Sequence, residues 1–177
     1  EKELGIKHST RVERKGYTKA LRDAFKITKS PLIFFSDTGN KHNPDDFWKL
    51  YDYINNFDLI VGKKSNRKDQ LYRQILTWGY NKFLSIIFKM KISDADSGFR
   101  IYKKELMTIL LSKKWIFKEL VASELYLRSN LEGYKIKEVP VSYYQRIGTS
   151  KGLPLKKIPK VIINIFFDIY KLKNSYF

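Results

Sequence analysis

An aspartate follows a short apolar stretch of this sequence and stands where a ligand could be met. The run from Pro31 to Phe35 leads into Asp37, and the turn residues Gly39 and Asn40 come next. An apolar run bounded by turn residues predicts a strand buried on both faces, as in parallel sheets that helices cover. Ligands of these sheets bind beyond the carboxyl ends of the strands. Asp37 is therefore a candidate binding residue, and the alternative is an aspartate that hydrogen-bonds within its own turn.

Polar side chains recur at helical spacing later in the chain. Arg73, Thr77 and Asn81 follow one another at intervals of four within an apolar helical pattern from about Gln70 to Lys89. Residues four apart lie on one face of a helix, so these three groups are expected to share a face. Further on, residues 146–151 form a glycine-containing segment with basic and hydroxyl side chains. Such a loop is a candidate for closing over a phosphate group.

Apolar patterns predict the elements that position these residues. Helical spacing occurs at about 20–27, 45–55, 70–89, 104–111, 118–130 and 155–172, and strand patterns occur at about 31–35, 58–62, 99–102 and 134–144. Asn43, followed by Pro44 and two acidic residues, is a strong helix start. Strands that alternate with helices favour an α/β fold built in layers.

Composition narrows the classes of partner. The 177 residues contain 35 Lys and Arg against 18 Asp and Glu, a formal charge of +17 that favours phosphates, nucleic acid or an anionic membrane. Nucleic acid is not expected as a partner, because the basic residues are scattered and no helix-turn-helix, RNP or zinc pattern is present. The lack of cysteine excludes disulfides and thiolate metal sites, and it fits a reducing compartment. No apolar run approaches the roughly 20 residues of a membrane span.

An ordered set of motifs gives the sequence a family resemblance. The motifs are Lys15-Gly16-x3-Ala20-Leu21, Phe34-Phe35-x-Asp37, Asn43-Pro44, Val61-Gly62, Arg73-x3-Thr77-x3-Asn81, Asp94-x-Asp96-Ser97-Gly98-Phe99-Arg100, Ser123-Glu124, Gly133-Tyr134-x-Ile136-x-Glu138-Val139-Pro140-Val141 and Arg146-x-Gly148-x-Ser150-Lys151. From about Arg11 to Lys151 this set resembles the family 2 glycosyltransferases. Within them it is most similar to the polyprenyl-phosphate sugar synthases, the branch like dolichol-phosphate mannose synthase. The resemblance implies a GT-A fold, which is α/β and Rossmann-like, with a mostly parallel sheet flanked by helices.

The resemblance also implies domain boundaries. Family members begin with a strand, a helix and a strand that hold the nucleotide, and no such stretch precedes Glu1. We therefore expect a GT-A domain that lacks its amino-terminal strands, either as part of a longer chain or as a split member. Residues 1–152 are expected to form the carboxyl-terminal two-thirds of that domain. Residues 153–177 are expected to form a basic amphipathic helix beside the membrane.

The implied metal site departs from the family pattern. Members carry Asp-x-Asp after the strand, and these carboxylates hold Mg²⁺ or Mn²⁺ against the donor diphosphate. Here the motif reads Asp37-Thr38-Gly39, so the second carboxylate is missing. Three alternatives remain. The metal site survives weakly through Asp37, Asn40 and water, or Lys41 supplies the positive charge instead, or transfer has been lost.

The reaction that the resemblance implies is an inverting transfer of a hexose. The donor is a nucleotide sugar, and the acceptor is a polyprenyl (dolichyl or undecaprenyl) phosphate at a membrane surface. The donor diphosphate is expected beside Asp37, Asn40 and Lys41. Asp94 and Asp96 are the candidate catalytic carboxylates, with Asp94 favoured because it matches the family's aspartate. The alternative for Asp94 is a turn-capping role.

Cationic and hydroxyl side chains are expected to bind the acceptor phosphate. This set comprises Arg67, Arg73, Thr77, Arg146, Ser150 and Lys151. The alternative for its arginines is solvated surface. Lys64 stands where the family often has an arginine, and it keeps the charge without the bidentate fork. Glu124 is expected to be a structural acid that pairs with a neighbouring loop, and His8 and His42 lack the spacing of metal ligands.

Lysines flank the apolar centre of the carboxyl-terminal segment, a pattern typical of a helix that lies in the membrane interface. The protein is therefore expected to be cytoplasmic and peripheral to the membrane, and core packing of the same apolar stripe is the alternative. The main rival to an enzyme is a non-catalytic glycosyltransferase-like protein that binds a partner or a lipid phosphate. Gly39 favours that rival hypothesis, because it removes a metal-binding carboxylate.

Overall fold

The computed structural model describes residues 16–37, 39, 41–65, 71–144 and 158–176. Within these ranges the elements are α1 (Tyr17–Ile27), β1 (Leu32–Ser36), α2 (Asp46–Tyr51), β2 (Leu59–Ser65), α3 (Leu71–Ile87), β3 (Phe99–Lys103), α4 (Lys104–Ser112), α5 (Val121–Leu131), β4 (Ile136–Ser142) and α6 (Ile158–Asn174). Each element lies on a pattern that predicts it from the sequence, with bounds that differ by a few residues.

The strands form one mixed sheet in the order β1-β3-β2-β4. β3 is antiparallel to both β1 and β2, whereas β2 and β4 are parallel. Three of these strands therefore run in the same direction, as in the predicted mostly parallel sheet, and β3 is the exception. The chain returns from α3 at the carboxyl end of β2 and enters the sheet there, so β3 must run backwards. As a result, Ser36 at the end of β1 pairs with Phe99 at the start of β3.

The prediction that β1 is buried on both faces is wrong. Among the described strands β1 pairs only with β3, and its Phe34 is 43% exposed. Burial on both faces is found instead in β2, where Leu59, Ile60 and Val61 are fully buried. The difference follows from position, because β2 lies between two strands and β1 lies at the margin of the described sheet. Asp37 therefore follows a marginal strand and not a central one.

Helices cover both faces of the sheet. The larger apolar cluster joins α1, α3, α4, α5 and α6 to one face, and the smaller cluster joins α2 to the other. Leu59 and Val61 of β2 belong to the first cluster and Ile60 to the second, because successive strand side chains alternate between faces. The predicted α/β architecture with flanking helices is confirmed.

The start of α2 follows the predicted capping pattern. The backbone N–H of Asp45 donates to Asn43 Oδ1 at 3.1 Å, and the N–H of Asp46 donates to the Asn43 carbonyl at 3.1 Å. These bonds satisfy donors that a helix start leaves without an intrahelical partner. They fix residues 43–46 at the start of α2.

The carboxyl-terminal helix packs one side against the core and exposes the other side. Ile169 and Leu172 of α6 are buried in the larger core cluster. The outer side of the same helix exposes a row of apolar side chains, namely Ile162, Ile163, Phe166, Phe167 and Tyr170. In the described part of the chain, every helix is too short or too polar to cross a bilayer.

Candidate active site

The end of β1 and the turn before β3 meet at one edge of the sheet. The Asp37 N–H donates to the Gly98 carbonyl at 2.8 Å. A Cβ atom at position 98 would lie 2.9 Å from Asp37 Oδ1 and closer still to Oδ2, so the carboxylate lies directly on the glycine. Only a residue without a side chain allows this approach. The contact brings Asp37 to the turn that carries the two other candidate carboxylates.

Asp94 is buried and paired with Lys64 at the end of β2. The carboxylate accepts hydrogen bonds from the Lys64 backbone N–H and from its Nζ, each at 3.1 Å. Both partners of this ion pair are largely shielded from water. Lys64 thus neutralises Asp94 and ties the turn to β2.

Asp96 lies in a different environment on the same turn. Its carboxylate accepts a hydrogen bond from Ser123 Oγ at 3.3 Å, and part of its surface stays open. Burial raises the pKa of Asp96 to about 6, against the opposing effect of Lys64 and Arg100. A general base works best when its pKa lies near the operating pH. The two candidates thus differ in their partners, since Asp94 is paired with Lys64 and Asp96 is hydrogen-bonded to Ser123.

Tyr17 at the start of α1 is part of the same neighbourhood. Tyr17 is 55% exposed as a residue, but partial shielding of its hydroxyl from water, together with the negative charges of Asp37 and Asp96, raises its pKa to about 12. The phenol therefore stays protonated at neutral pH and can donate a hydrogen bond. Nothing in the sequence pattern indicated this residue, because the fold alone brings α1 to the edge of the sheet where Asp37 lies.

Two charged side chains, the buried Arg100 and the half-buried Glu138, hold the turn between α3 and β3. Arg100 is fully buried, and its guanidinium donates to the carbonyls of Ser97, Ala95 and Ala122. Glu138 of β4 accepts from the N–H of Ser93 at 2.9 Å. It also accepts from the N–H of Asp94 at 3.2 Å and from the Tyr126 hydroxyl at 3.1 Å. The sequence analysis did not predict that Arg100 and Glu138 position the turn. The available signal was a charged residue within an otherwise apolar strand pattern.

The predicted polar face of α3 is confirmed for Thr77 and Asn81, which line the same cleft. Asn81 Nδ2 donates to the Ser93 carbonyl at 2.9 Å, and Asn81 Oδ1 accepts from the Ala95 N–H at 3.0 Å. Arg73 is directed differently, with its Nε donating to the hydroxyl of Tyr72 at 3.1 Å. Asn81 is thus a third anchor of the turn, and Arg73 is not among the described residues that line the cleft.

The cleft lies between α3, the end of β2 and the turn, and its volume is about 360 Å³. Its walls are Lys63, Lys64, Gln74, Ile75, Thr77, Trp78, Asn81, Ser93 and Asp94. Lys63 and the Thr77 hydroxyl suit an anion, whereas Lys64 is already paired with Asp94, and Ile75 and Trp78 add apolar surface to the lining. The lining is therefore compatible with a ligand that has an anionic head and an apolar chain.

His42 lies buried beside this site. Its ring stacks on Phe99 with centroids 4.9 Å apart, and burial together with the charge of Lys64 lowers its pKa. A low pKa keeps the imidazole neutral at physiological pH. The sequence showed no ligand spacing for His42. In the described part of the chain, no group of three or more His, Asp and Glu side chains is arranged to hold a metal ion.

The implied Asp-x-Asp metal site is incomplete in the described residues. Asp37 is present, but Gly39 contributes no ligand, and Asp94 is neutralised by Lys64. Mg²⁺ at such sites is held by one or two carboxylates together with water and substrate phosphates, and Asp37 is the one carboxylate of the motif that is present here. The predicted contribution of Asn40 lies outside the described residues, as do those of Arg67, Arg146, Ser150 and Lys151 to phosphate binding.

Glu124 is a structural acid, as predicted. Its carboxylate accepts from the N–H groups of Ile116 and Phe117 at 2.8 and 2.7 Å. It also pairs with Arg128 at 2.8 Å, and both side chains are buried. Every nearby donor is thereby satisfied, and the loop before α5 is fixed to that helix.

Proteins with known names are similar in sequence to most of this chain. No protein-family model matches the chain. The chain is 25% identical over 156 residues to the dolichyl-phosphate hexose transferase of Haloferax volcanii, covering 84% of this chain and 67% of that protein. It is 22% identical over 169 residues to the dodecaprenyl-phosphate galacturonate synthase of Rhizobium johnstonii, covering 92% of this chain and 49% of that protein. The chain thus spans about half to two thirds of the length of these relatives.

Solved structures share the fold. Glucosyl-3-phosphoglycerate synthase from Mycobacterium tuberculosis in complex with UDP superposes with a TM-score of 0.66 at 14% identity, over 91% of this chain and 56% of that chain. The same enzyme in complex with Mn²⁺, UDP and phosphoglyceric acid gives a TM-score of 0.64 at 16% identity. At such identities the likeness establishes a common fold and leaves the chemistry to be argued from the site.

Proposed function

This chain belongs to the family 2 glycosyltransferases of the polyprenyl-phosphate type, with a GT-A fold, and from that premise we propose that it transfers a hexose. The donor is a nucleotide sugar, the acceptor is a polyprenyl phosphate, and the anomeric centre is inverted. The observation that carries the proposal is the contact between Asp37 and Gly98. It joins the strand-end carboxylate to the Asp94–Gly98 turn, next to a cleft with two lysines and an apolar wall.

The cleft is the proposed acceptor site. Lys63 and Thr77 bind the phosphate group, and Ile75 and Trp78 contact the first units of the lipid chain. A phosphate oxygen is already anionic, so it needs orientation more than activation. Four residues of the proposed set belong to this site by resemblance, namely Arg67, Arg146, Ser150 and Lys151.

Asp96 is the proposed proton acceptor. The second pKa of a phosphate monoester is about 6, close to the pKa of about 6 that burial gives Asp96. A singly protonated acceptor can therefore pass its proton to Asp96 as the new bond forms, with little free-energy difference between the two positions of the proton. Asp94 serves by holding Lys64 and the turn in place.

The membrane is the proposed location of the acceptor. α3 exposes Leu71, Ile75, Trp78 and Ile86, α6 exposes Ile163, Phe166, Phe167 and Tyr170, and the rings of Phe83 and Phe166 connect the two helices at 4.8 Å. We call these eight exposed side chains the α3–α6 apolar face. Lysines accompany it at positions 160, 171 and 173, and the chain as a whole carries +17, which complements anionic lipid.

The test is a transfer assay on the full-length protein with vesicles that contain polyprenyl phosphate and a panel of UDP- and GDP-hexoses. Lys63→Ala is expected to raise the KM for polyprenyl phosphate about tenfold, because a charge-assisted hydrogen bond is lost. Lys29→Ala, an exposed lysine before β1, is the matched control and is expected to leave KM unchanged. Failure of every hexose donor to yield glycolipid would contradict the transferase and favour a binding protein.

A further inference from the structure

Lys41 occupies the space beside the missing carboxylate. A Cβ atom at position 39 would lie 3.4 Å from Lys41 Cε, 3.6 Å from its Cγ and 3.7 Å from its Cδ. The aliphatic stem of Lys41 therefore folds over Gly39, and the ammonium bonded to Cε stands next to the space that a side chain at 39 would enter. The local charge is thus reversed at this position, from a carboxylate to an ammonium.

The backbone of Lys41 is held in place by the end of β4. The Tyr144 N–H donates to the Lys41 carbonyl at 2.7 Å, and His42 forms a β-bridge with Tyr143. The stacking of His42 on Phe99 ties the same segment to the start of β3. Lys41 is therefore positioned by the elements that position Asp37 and the turn.

The ammonium of Lys41 is also without an acidic partner in the described ranges. Other lysines around the sheet are neutralised, Lys64 by Asp94 at 3.1 Å, Lys49 by Asp46 at 2.6 Å and Lys103 by Asp58 at 3.1 Å. Among the described residues, no carboxylate forms an ion pair with Lys41. A half-buried cation of this kind is available for an anionic ligand.

Asp37 and Lys41 together have the same net charge as an Asp-x-Asp site with its metal ion. The pair therefore suits the same ligand, a diphosphate. Two carboxylates and one divalent cation sum to zero, and so do one carboxylate and one ammonium. Asp37 and Lys41 therefore present a donor diphosphate with the same net charge as a complete Asp-x-Asp site with its metal ion. An ammonium adds three hydrogen-bond donors, which suit phosphate oxygens.

We propose that Lys41 takes the place of the divalent cation, so that this chain binds the diphosphate of a nucleotide donor without metal. This inference rests on the proposed transferase function. In the transfer step, the bond between the anomeric carbon and the donor phosphate oxygen breaks, and its electron pair stays on the departing nucleoside diphosphate. An acceptor phosphate oxygen forms the new bond to the anomeric carbon. Lys41 stabilises the charge that develops on the leaving diphosphate.

The experiment measures binding of UDP and GDP to the full-length protein by titration calorimetry, in EDTA and in MnCl₂. The wild-type affinity is expected to be the same in both. Lys41→Ala should weaken binding at least about tenfold in both solutions, and Lys41→Arg should retain most of it. Lys26→Ala, an exposed lysine on α1, is the matched control for loss of one positive charge. Thermal melting establishes that each variant is folded.

A double variant tests directly whether a rebuilt two-carboxylate motif binds a metal ion. The three atoms nearest to a Cβ at position 39 all belong to the flexible side chain of Lys41, so the double substitution Gly39→Asp with Lys41→Ala can rebuild the two-carboxylate motif. Electron paramagnetic resonance should detect Mn²⁺ bound by the double variant with UDP, and nucleotide binding should now require Mn²⁺. The wild type should not bind Mn²⁺ under the same conditions.

The outcomes separate the two proposals. A wild type that binds nucleotide only with Mn²⁺, or a Lys41→Ala variant with unchanged affinity, overturns the role of Lys41 and leaves the transferase proposal standing. A wild type that binds neither nucleotide in either solution overturns both. Metal-independent binding that is lost in Lys41→Ala and kept in Lys41→Arg supports the role of Lys41.

Discussion

At the scale of single residues, the site separates two neighbouring aspartates by their surroundings. Asp94 is neutralised by Lys64, whereas the surroundings of Asp96 raise its pKa to about 6. The two carboxylates are only two positions apart, so their sequence context is nearly the same. Their different environments arise from which side chains the fold places against each of them.

The first prediction concerns the rate of transfer as a function of pH. If Asp96 accepts a proton from the singly protonated acceptor phosphate, the rate should pass through a maximum near pH 6. Asp96 loses its ionised form below this pH, and the phosphate loses its proton above it. Asp96→Asn should lower the rate near pH 6 by about 10²-fold and remove the maximum. Initial rates between pH 5 and 8 check this. An unchanged profile in the variant would assign the pH dependence to another group.

The second prediction concerns stability. The pKa of Asp96 is raised from 3.8 to about 6 in the folded state, so between these values the folded chain binds more protons than the unfolded chain. Stability is therefore lost as pH rises through this window. Asp96→Asn should stabilise the protein at pH 7 by up to about 3 kcal/mol relative to wild type, and much less at pH 4. Urea unfolding at both pH values checks this sign.

At the scale of elements, the reversed strand β3 determines the site. Because β3 lies between β1 and β2, the turn before it lies beside the end of β1 and the end of β2 at once. Ser97 Oγ donates to the Gly62 carbonyl at 2.5 Å, which ties the turn to β2. The close approach of Asp37 to Gly98 ties it to β1.

The third prediction tests that approach. Gly98→Ala should destabilise the fold and reduce transfer, because the new Cβ would collide with the Asp37 carboxylate. Gly79→Ala in α3 is the matched control, since a Cβ there meets no atom within 4 Å. It should stabilise the helix by about 0.5–1 kcal/mol. Thermal unfolding with parallel transfer assays distinguishes the two glycines, and equal behaviour would contradict the contact.

At the scale of the whole molecule, the cleft and the α3–α6 apolar face share one helix. Ile75 and Trp78 of α3 line the cleft, and both also belong to the apolar face. A lipid whose chain lies in the membrane and whose phosphate enters the cleft would follow α3 from one to the other. The face therefore connects the proposed location of the enzyme with its proposed substrate.

The fourth prediction concerns membrane binding. Trp78→Glu should weaken binding to anionic vesicles about tenfold, because a buried aromatic side chain contributes about 1.5–3 kcal/mol. Trp48 on α2 is 63% exposed, against 70% for Trp78, so Trp48→Glu is the matched control on another surface. Co-sedimentation with phosphatidylglycerol vesicles measures both. An equal loss in the two variants would show that the face has no special role.

The secondary structure and several candidate site residues of this protein can be predicted from the sequence alone, because short stretches of sequence specify them. Apolar periodicity predicted each described helix and strand, and Asn43 with Pro44 marked the start of α2 before Asp46. The missing carboxylate at Gly39 and the placement of Asp37 behind a strand were also visible in the sequence. Each of these features depends on residues within a few positions of one another, and local sequence therefore specifies them.

The tertiary structure alone decided which distant groups meet. Examples are the marginal position of β1, the pairing of Lys64 with Asp94, and the anchoring of the turn by Arg100 and Glu138. The effect of Asp37 and Asp96 on the pKa of Tyr17 is another, and each of these features involves separate elements. No local pattern encodes them, because the strand order fixes them, and strand order depends on packing the whole sheet against its helices. Sequence thus specified the chemical groups, and the sheet order determined their partners.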